Sequence, residues 1–291
     1  MKILISTDSS AMIKKSMFDG KDISVFPLNI IIDGEEFLDG VTICQEQVEE
    51  AMRAGKNIKT STPPLGEVIE YFERLFDKGY DHIIHFTISS KLSSMNDLFN
   101  NVAKQNFAGK VTVIDSYSLC SIMLSKVLLA YDEAEKGTPI DKIVCMIEQN
   151  KADGYICFVP ENLTALKNGG RISPAIALIG NTIGIKPVIL LKDGELQKET
   201  MTRRARKTFI EKVDMLKNSN FTPDKYDYTI VSFGVEGEKV QYVINYIEGI
   251  WGQGSVFHGI VPVNVCAHCG PGTIGLIVSP KINGKSYRDF I

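Results

Sequence analysis

The segment HIIHFTISSKLSSMNDLFNNV, residues 82–102, decides how the chain is to be read. Its opening stretch, His82–Ile88, is rich in Ile, Phe and Thr, which suit a buried strand. Ser89-Ser90-Lys91-Leu92-Ser93-Ser94 then interrupts the apolar run with hydroxyls, and Met95, Leu98, Phe99 and Val102 recur at helical spacing. Strand, hydroxyl-rich turn and helix, in that order, form the repeating unit of a parallel sheet with crossover helices.

The same unit extends to both sides. Lys2–Ser6 is a short apolar strand that turns at Asp8-Ser9-Ser10, and Ile23–Ile32 is a further strand closed by Asp33-Gly34. Thr60-Ser61-Thr62-Pro63-Pro64 reads as a loop opening a helix, with Thr62 as cap and Pro63 in the first turn. Val68, Ile69, Phe72, Leu75 and Phe76 form that helix's apolar stripe, and Gly79 ends it. Beyond the opening segment, Val111–Ile114 is a strand ending at Asp115-Ser116, and a long helix runs from about Leu119 to Glu135. Thr138-Pro139-Ile140-Asp141 has the pattern of a capping box.

From about Gly154 the pattern changes. Tyr155–Val159 is a strand, Asn162–Lys167 a short helix stopped by Gly169-Gly170, and Ile185–Leu191 and Leu196–Thr202 flank the hairpin signal Asp193-Gly194. Amphipathic helices near Arg204–Lys217 and Lys239–Ile250 enclose the strand Tyr228–Phe233, and two further strands surround Cys266–Gly275. The expected fold is α/β in two domains: residues 1–153 alternate β and α around a parallel sheet, and residues 154–291 are α+β with a mostly antiparallel sheet. Length agrees, since 291 residues at roughly 150 per domain correspond to about two.

Composition excludes more than it selects. Hydrophobic residues make up 44% and charged ones 23%, so extensive disorder is not expected. Lys+Arg 32 against Asp+Glu 35 gives a net charge of −3, with no global attraction to nucleic acid or anionic membrane. No apolar run reaches the about 18 residues of a bilayer span. The start, MKILISTDSS, reads as a strand and not as a signal peptide. Of the cysteines only Cys266 and Cys269 are close in sequence, which points to a reducing, cytoplasmic setting.

Three hydroxyl-rich stretches lie at predicted strand ends: Thr60-Ser61-Thr62, Ser89–Ser94 and Asp115-Ser116. Hydroxyls beside the free N–H groups of a helix N-terminus suit an anion, although the same residues are also ordinary caps and turn formers. Cys266-Ala267-His268-Cys269-Gly270-Pro271-Gly272 is the densest cluster. It lacks the second ligand pair of a metal site, and a Gly-Pro-Gly loop follows where a redox CxxC usually opens a helix. Gly270–Gly275 spells GxGxxG, yet a strand follows it and no acidic ribose partner has room. His268 is expected at a strand end among glycines that permit close approach.

A Ser–His hydrolase would use Ser93 or Ser94 as nucleophile and His268 as base, but Lys91 and Met95 stand where the nucleophile elbow needs glycine. Arg171, after Gly169-Gly170, offers a fork for phosphate or carboxylate. The run Arg203-Arg204-Ala205-Arg206-Lys207 sits at a helix start, where cations are mildly unfavourable and an external anionic partner would compensate.

Taken together, the whole chain resembles the DegV family of fatty-acid-binding proteins, the acyl-carrier subunits of bacterial fatty acid kinase. The resemblance rests on Thr7-Asp8-Ser9, Lys59-Thr60-Ser61-x-Pro63, Ser89-Ser90-Lys91-Leu92-Ser93, Ile114-Asp115-Ser116, Leu166–Ser173, Lys186-Pro187-Val188 and His268-x-Gly270-Pro271-Gly272. It implies a long-chain fatty acid such as palmitate in a tunnel between two domains. Thr60, Ser93, Ser94 and His268 would hold its carboxylate, with Ser61, Asp115 and Ser116 as supporting loop residues. Arg171 and Arg203 would face a separate fatty acid kinase. The resemblance implies no catalytic residue, no metal and no cofactor beyond the bound acid. This chain departs from the family pattern at Thr62 and Pro64, and at Ser94-Met95-Asn96 where Gly-Thr-Tyr is usual. A sensor of acyl ligands acting through a protein partner is a third reading of the same residues.

Overall fold

Pro27 splits the apolar run Ile23–Ile32, and the two halves serve different sheets. A proline supplies no ladder donor, so a continuous strand across it is disfavoured. The computed structural model describes residues 1–12, 18, 20–172 and 184–290, and Ser173 of the Leu166–Ser173 stretch lies outside them. In the first sheet β2 (Ile23–Phe26), β1 (Ile3–Asp8), β6 (His82–Thr87) and β7 (Val111–Asp115) lie in the order β2-β1-β6-β7, all parallel. The central strand β6 is buried along its whole length, as its near-continuous apolar sequence requires.

A second, three-stranded antiparallel sheet was not expected. Its strands are β3 (Asn29–Ile32), β4 (Glu35–Leu38) and β5 (Ile58–Ser61), in the order β4-β3-β5. The Asp33-Gly34 turn therefore joins a hairpin and does not simply close a strand. Thr60 and Ser61 are correspondingly strand residues, not part of a loop. The helix after them, α2 (Leu65–Phe76), begins beyond both prolines, so Thr62 does not cap it. Thr138 likewise donates back to Glu133 Oε2 at 2.8 Å, and helix Ile140–Gln149 starts behind Pro139 without a side-chain cap.

The third sheet holds β8 (Tyr155–Val159), β9 (Lys186–Lys192), β10 (Glu195–Thr202), β11 (Tyr226–Phe233), β12 (Val256–Ile260) and β13 (Thr273–Pro280). Its order is β10-β9-β8-β13-β11-β12, antiparallel throughout except for β11 with β12. Asp193 and Gly194 both have positive φ, 52° and 79°, as the tight turn between β9 and β10 demands.

The two large sheets are held together by one helix, Cys120–Glu135, which packs on β1 and on β13. Its sequence is apolar on nearly every face, and most of its residues are buried accordingly. The far face of the third sheet carries Cys157, Val188, Tyr228, Ile230 and Leu276 against helices Ala205–Lys217 and Gly237–Trp251. The near face, toward the central helix, is where the cavity lies. No helix among the described residues is long and apolar enough to cross a membrane.

Candidate functional site

His268 lies in the last turn of a short helix, Val263–Cys269, and not at a strand end. The helix is hard to foresee because Val, Asn and Cys are weak helix formers and Gly270, with φ 75°, stops it at once. A distant residue supports its start. The Asp39 carboxylate accepts N–H bonds from Val263 at 3.3 Å and Asn264 at 3.1 Å, and is itself held by the Ser9 hydroxyl at 2.8 Å. Burial pushes the Asp39 carboxyl up to about 6 against those hydrogen bonds.

From the other end of this helix, His268 Nε2 shares a 2.8 Å hydrogen bond with Thr60 Oγ1, which β5 presents from the small sheet. The Nδ1 atom finds no partner among the described residues and rests against Gly169. A Cβ added to Gly169 would fall 2.2 Å from Nδ1, so glycine is required by the ring. The His268 ring is partly exposed but closely surrounded by protein. Loss of water, with the nearby Arg171 charge adding to it, lowers its pKa to about 4, so the imidazole is neutral at pH 7.

Thr60, Ser93, Arg171 and His268 all line one cavity of about 120 Å³. Its wall follows strand alternation: Ile156 and Phe158 of β8, Val231 of β11, and Thr273, Gly275 and Ile277 of β13 point in, while their neighbours face the core. Gly275 keeps that wall flat, since a Cβ there would meet Val231 Cγ2 at 2.9 Å. Leu92, Met95, Leu119 and Cys120 close the opposite side. The lining is thus apolar apart from hydroxyls, an imidazole, a guanidinium and the Asn264 amide. A void of about 150 Å³ holds a benzene, so a longer apolar guest enters this cavity only if its aliphatic side chains part.

The expected site residues separate into groups. Ser61 joins Thr60 in the lining, whereas Ser94 is exposed just ahead of the helix Met95–Asn106 and is not part of it. Asp115 and Ser116 also lie outside. Asp115 accepts from Ser90 Oγ at 2.6 Å and from the Tyr117 N–H at 2.8 Å and so ties two loops together, while Ser116 Oγ donates to Ser118 O within its own loop. Arg171 is half-buried in the cavity wall, where its Nε donates to Leu92 O at 3.1 Å and a terminal nitrogen donates to Gly169 O. Arg203 is exposed in a different hollow, an open cleft of about 780 Å³ that it shares with Arg204, Arg206, Lys207, Lys186 and Lys239. Asn264, which lines the cavity, was not singled out, because a lone Asn in a short apolar stretch carries no sequence signal.

The geometry does not form a nucleophile–base pair. The Nε2 atom of His268 is bonded to Thr60, and Ser93 Oγ accepts the Met95 N–H at 3.4 Å. An imidazole held neutral down to about pH 4 is also a weak base. Among the described residues, no group of three or more His, Cys, Asp or Glu side chains could hold a metal ion.

The fold and this cavity define a mixed α/β protein with a mostly apolar hollow that also carries hydrogen-bonding groups. Residues 2–281 match the family described as "Uncharacterised protein, DegV family", and the chain belongs to the DegV family. It is 30% identical over 287 residues to a DegV domain-containing protein of Staphylococcus aureus, across 96% of this chain and 99% of that protein. Among solved structures it is similar to a fatty acid binding DegV family protein from Streptococcus agalactiae, with a TM-score of 0.86 and 23% identity over 97% of this chain and 99% of that one. A stearic-acid-binding protein from Eubacterium ventriosum is similar at a TM-score of 0.82 and 23% identity, again over 97% and 99%.

Proposed function

We propose that this chain binds a long-chain fatty acid with its tail in the cavity and its carboxylate at Thr60, Ser93 and His268, and presents that carboxylate to a separate fatty acid kinase. The cavity carries the reading: a mostly apolar wall meets a polar cluster that bears hydroxyls and an imidazole but no acid. Hydroxyls suit a carboxylate, and a neutral His268 donates to it from a ring nitrogen or takes up a proton to form a charge-assisted bond. Structural relatives described as fatty-acid-binding support the same assignment. Thr60 and Ser93 come from the half spanning 1–153 and Arg171 and His268 from 154–291, so the two proposed domains act as the walls of one site.

The tail supplies most of the affinity. Each buried CH₂ contributes roughly 0.8 kcal/mol, and about fifteen of them give on the order of 12 kcal/mol before the costs of ordering and of parting the wall. The protein then acts as a cytoplasmic carrier that needs no catalytic base of its own. Mass spectrometry of an organic extract of the purified protein should release an acid of about 14 to 18 carbons, and a reproducibly empty extract overturns the reading. Ser93→Ala should lower retention about tenfold, the effect of one hydrogen bond to a charged group. Presentation is tested separately: loaded protein, ATP and a fatty acid kinase should yield acyl phosphate, and intact acid after incubation counts against it.

A further inference from the structure

We propose that the cavity selects an acyl chain bearing a hydroxyl a few carbons from its carboxylate, and that Asn264 is the residue that selects it. This rests on the fatty-acid reading above. Asn264 is 4% exposed and belongs to the cavity lining. Its Nδ2 donates to Ser10 Oγ at 2.7 Å. The Ser10 hydroxyl also stands beside the Asp8 carboxylate and favours its charged form. Asp8 is fixed in turn by the N–H groups of Ser10 at 2.8 Å and Ile88 at 2.7 Å.

Ser10 accepts from Asn264, which orients the amide. The NH₂ faces Ser10, and Oδ1 has no partner among the described residues. An unpaired buried carbonyl is costly, and Asn264 belongs to a lining that is mostly apolar. A site for a plain alkyl chain would be better served by Leu at this position. The Asp39 bond to Asn264 would survive that change, because it uses the backbone N–H.

The position of Oδ1 restricts the ligand. Asn264 and His268 are four residues apart on one helix, so they share a face about 6 Å apart along the axis. With the carboxylate at His268, the atoms passing Asn264 belong to the first part of the chain, about C3 to C5. A hydroxyl there donates to Oδ1, whereas a methylene leaves it unpaired.

The test titrates delipidated wild-type protein with hexadecanoic acid and with its 3-, 4- and 5-hydroxy derivatives. One hydroxy acid should bind about tenfold more tightly than the parent, the equivalent of one hydrogen bond to a buried acceptor. Asn264→Leu should bring that ratio to one or below. If the parent binds wild type as tightly as every hydroxy isomer, the proposal is overturned and the fatty-acid reading stands. If none of the four binds, that reading fails and takes this inference with it. Should Asn264→Leu not fold, the wild-type ratio decides alone.

Discussion

The packing around the parallel sheet and the lining of the cavity each hold a histidine closely surrounded by protein, and the two share much of their chemistry. His85, on β6, lies opposite Ser6 in the β1–β6 register and bonds Ser6 Oγ through Nδ1 at 2.8 Å. Ser6 continues to Tyr71 at 2.7 Å and Tyr71 to Ser24 at 2.9 Å. Among the described residues His85 Nε2 has no partner, just as His268 Nδ1 has none. Burial alone lowers the His85 pKa to about 3, and burial with Arg171 lowers that of His268 to about 4.

What differs is the space around the rings. His85 is stacked 4.0 Å from Phe99 at an interplanar angle of 4°, with Phe72 and Tyr71 edge-on. His268 faces a hollow that also contains Ser93 and Arg171. An unpaired ring nitrogen and a depressed pKa thus report burial. Convergence of other polar groups on an open volume is what marks a site.

Three substitutions would break or sharpen this contrast. Gly169→Ala should have the largest effect: its Cβ displaces the His268 ring, at a cost near the upper end of the about 1–3 kcal/mol typical of overpacking. Fatty-acid affinity should fall by on the order of a hundredfold, measured by titration of delipidated protein. Unchanged affinity would mean that the His268 ring has no part in holding the acid.

His85→Phe should act on stability and leave ligand retention intact. A histidine held neutral binds fewer protons folded than unfolded, so its contribution to stability falls as pH drops from 6.5 toward about 3. Removing it should shift the stability difference between variant and wild type in the variant's favour by about 2 kcal/mol between pH 6.5 and 5. Denaturant titrations across that window provide the check, and parallel curves would contradict it. Asp8 and Asp39, raised to about 6 by burial, act in the opposite sense as pH falls from 6 to 3.8, and are common to both proteins.

Arg171→Ala should have the smallest direct effect on binding. The variant should keep its acid and lose phosphorylation by the kinase, and equal loss of both would refute that division. It should also raise the His268 titration midpoint above about 4 while burial keeps it below 6.5, readable from the imidazole proton resonances.

Much of the fold was legible because its signals are local. The β-branched run of β6, the Asp193-Gly194 turn and the stripe of α2 each declare themselves within a dozen residues. The small sheet was not legible, because Glu35–Leu38 is too polar and short to read as a strand and Pro27 was not read as a break. Thr60, Ser93 and His268 were nominated through the family resemblance; their convergence on one cavity is visible only in three dimensions. The inward position of Arg171 and the unpaired oxygen of Asn264 had no sequence signal, since both depend on which distant backbone and side-chain groups surround them.

The Thr60–His268 bond spans 208 residues of sequence, and the Ser10–Asn264 bond spans 254. Contacts of such separation form only after long loops have closed. On the ribosome, residues 1–172 can be complete while the cavity still lacks its imidazole, its Asn264 and the β13 wall. Under the proposed function, lipid capture thus requires a chain that extends through β13: a product ending before it has the hydroxyls but lacks the far wall that would hold an acid.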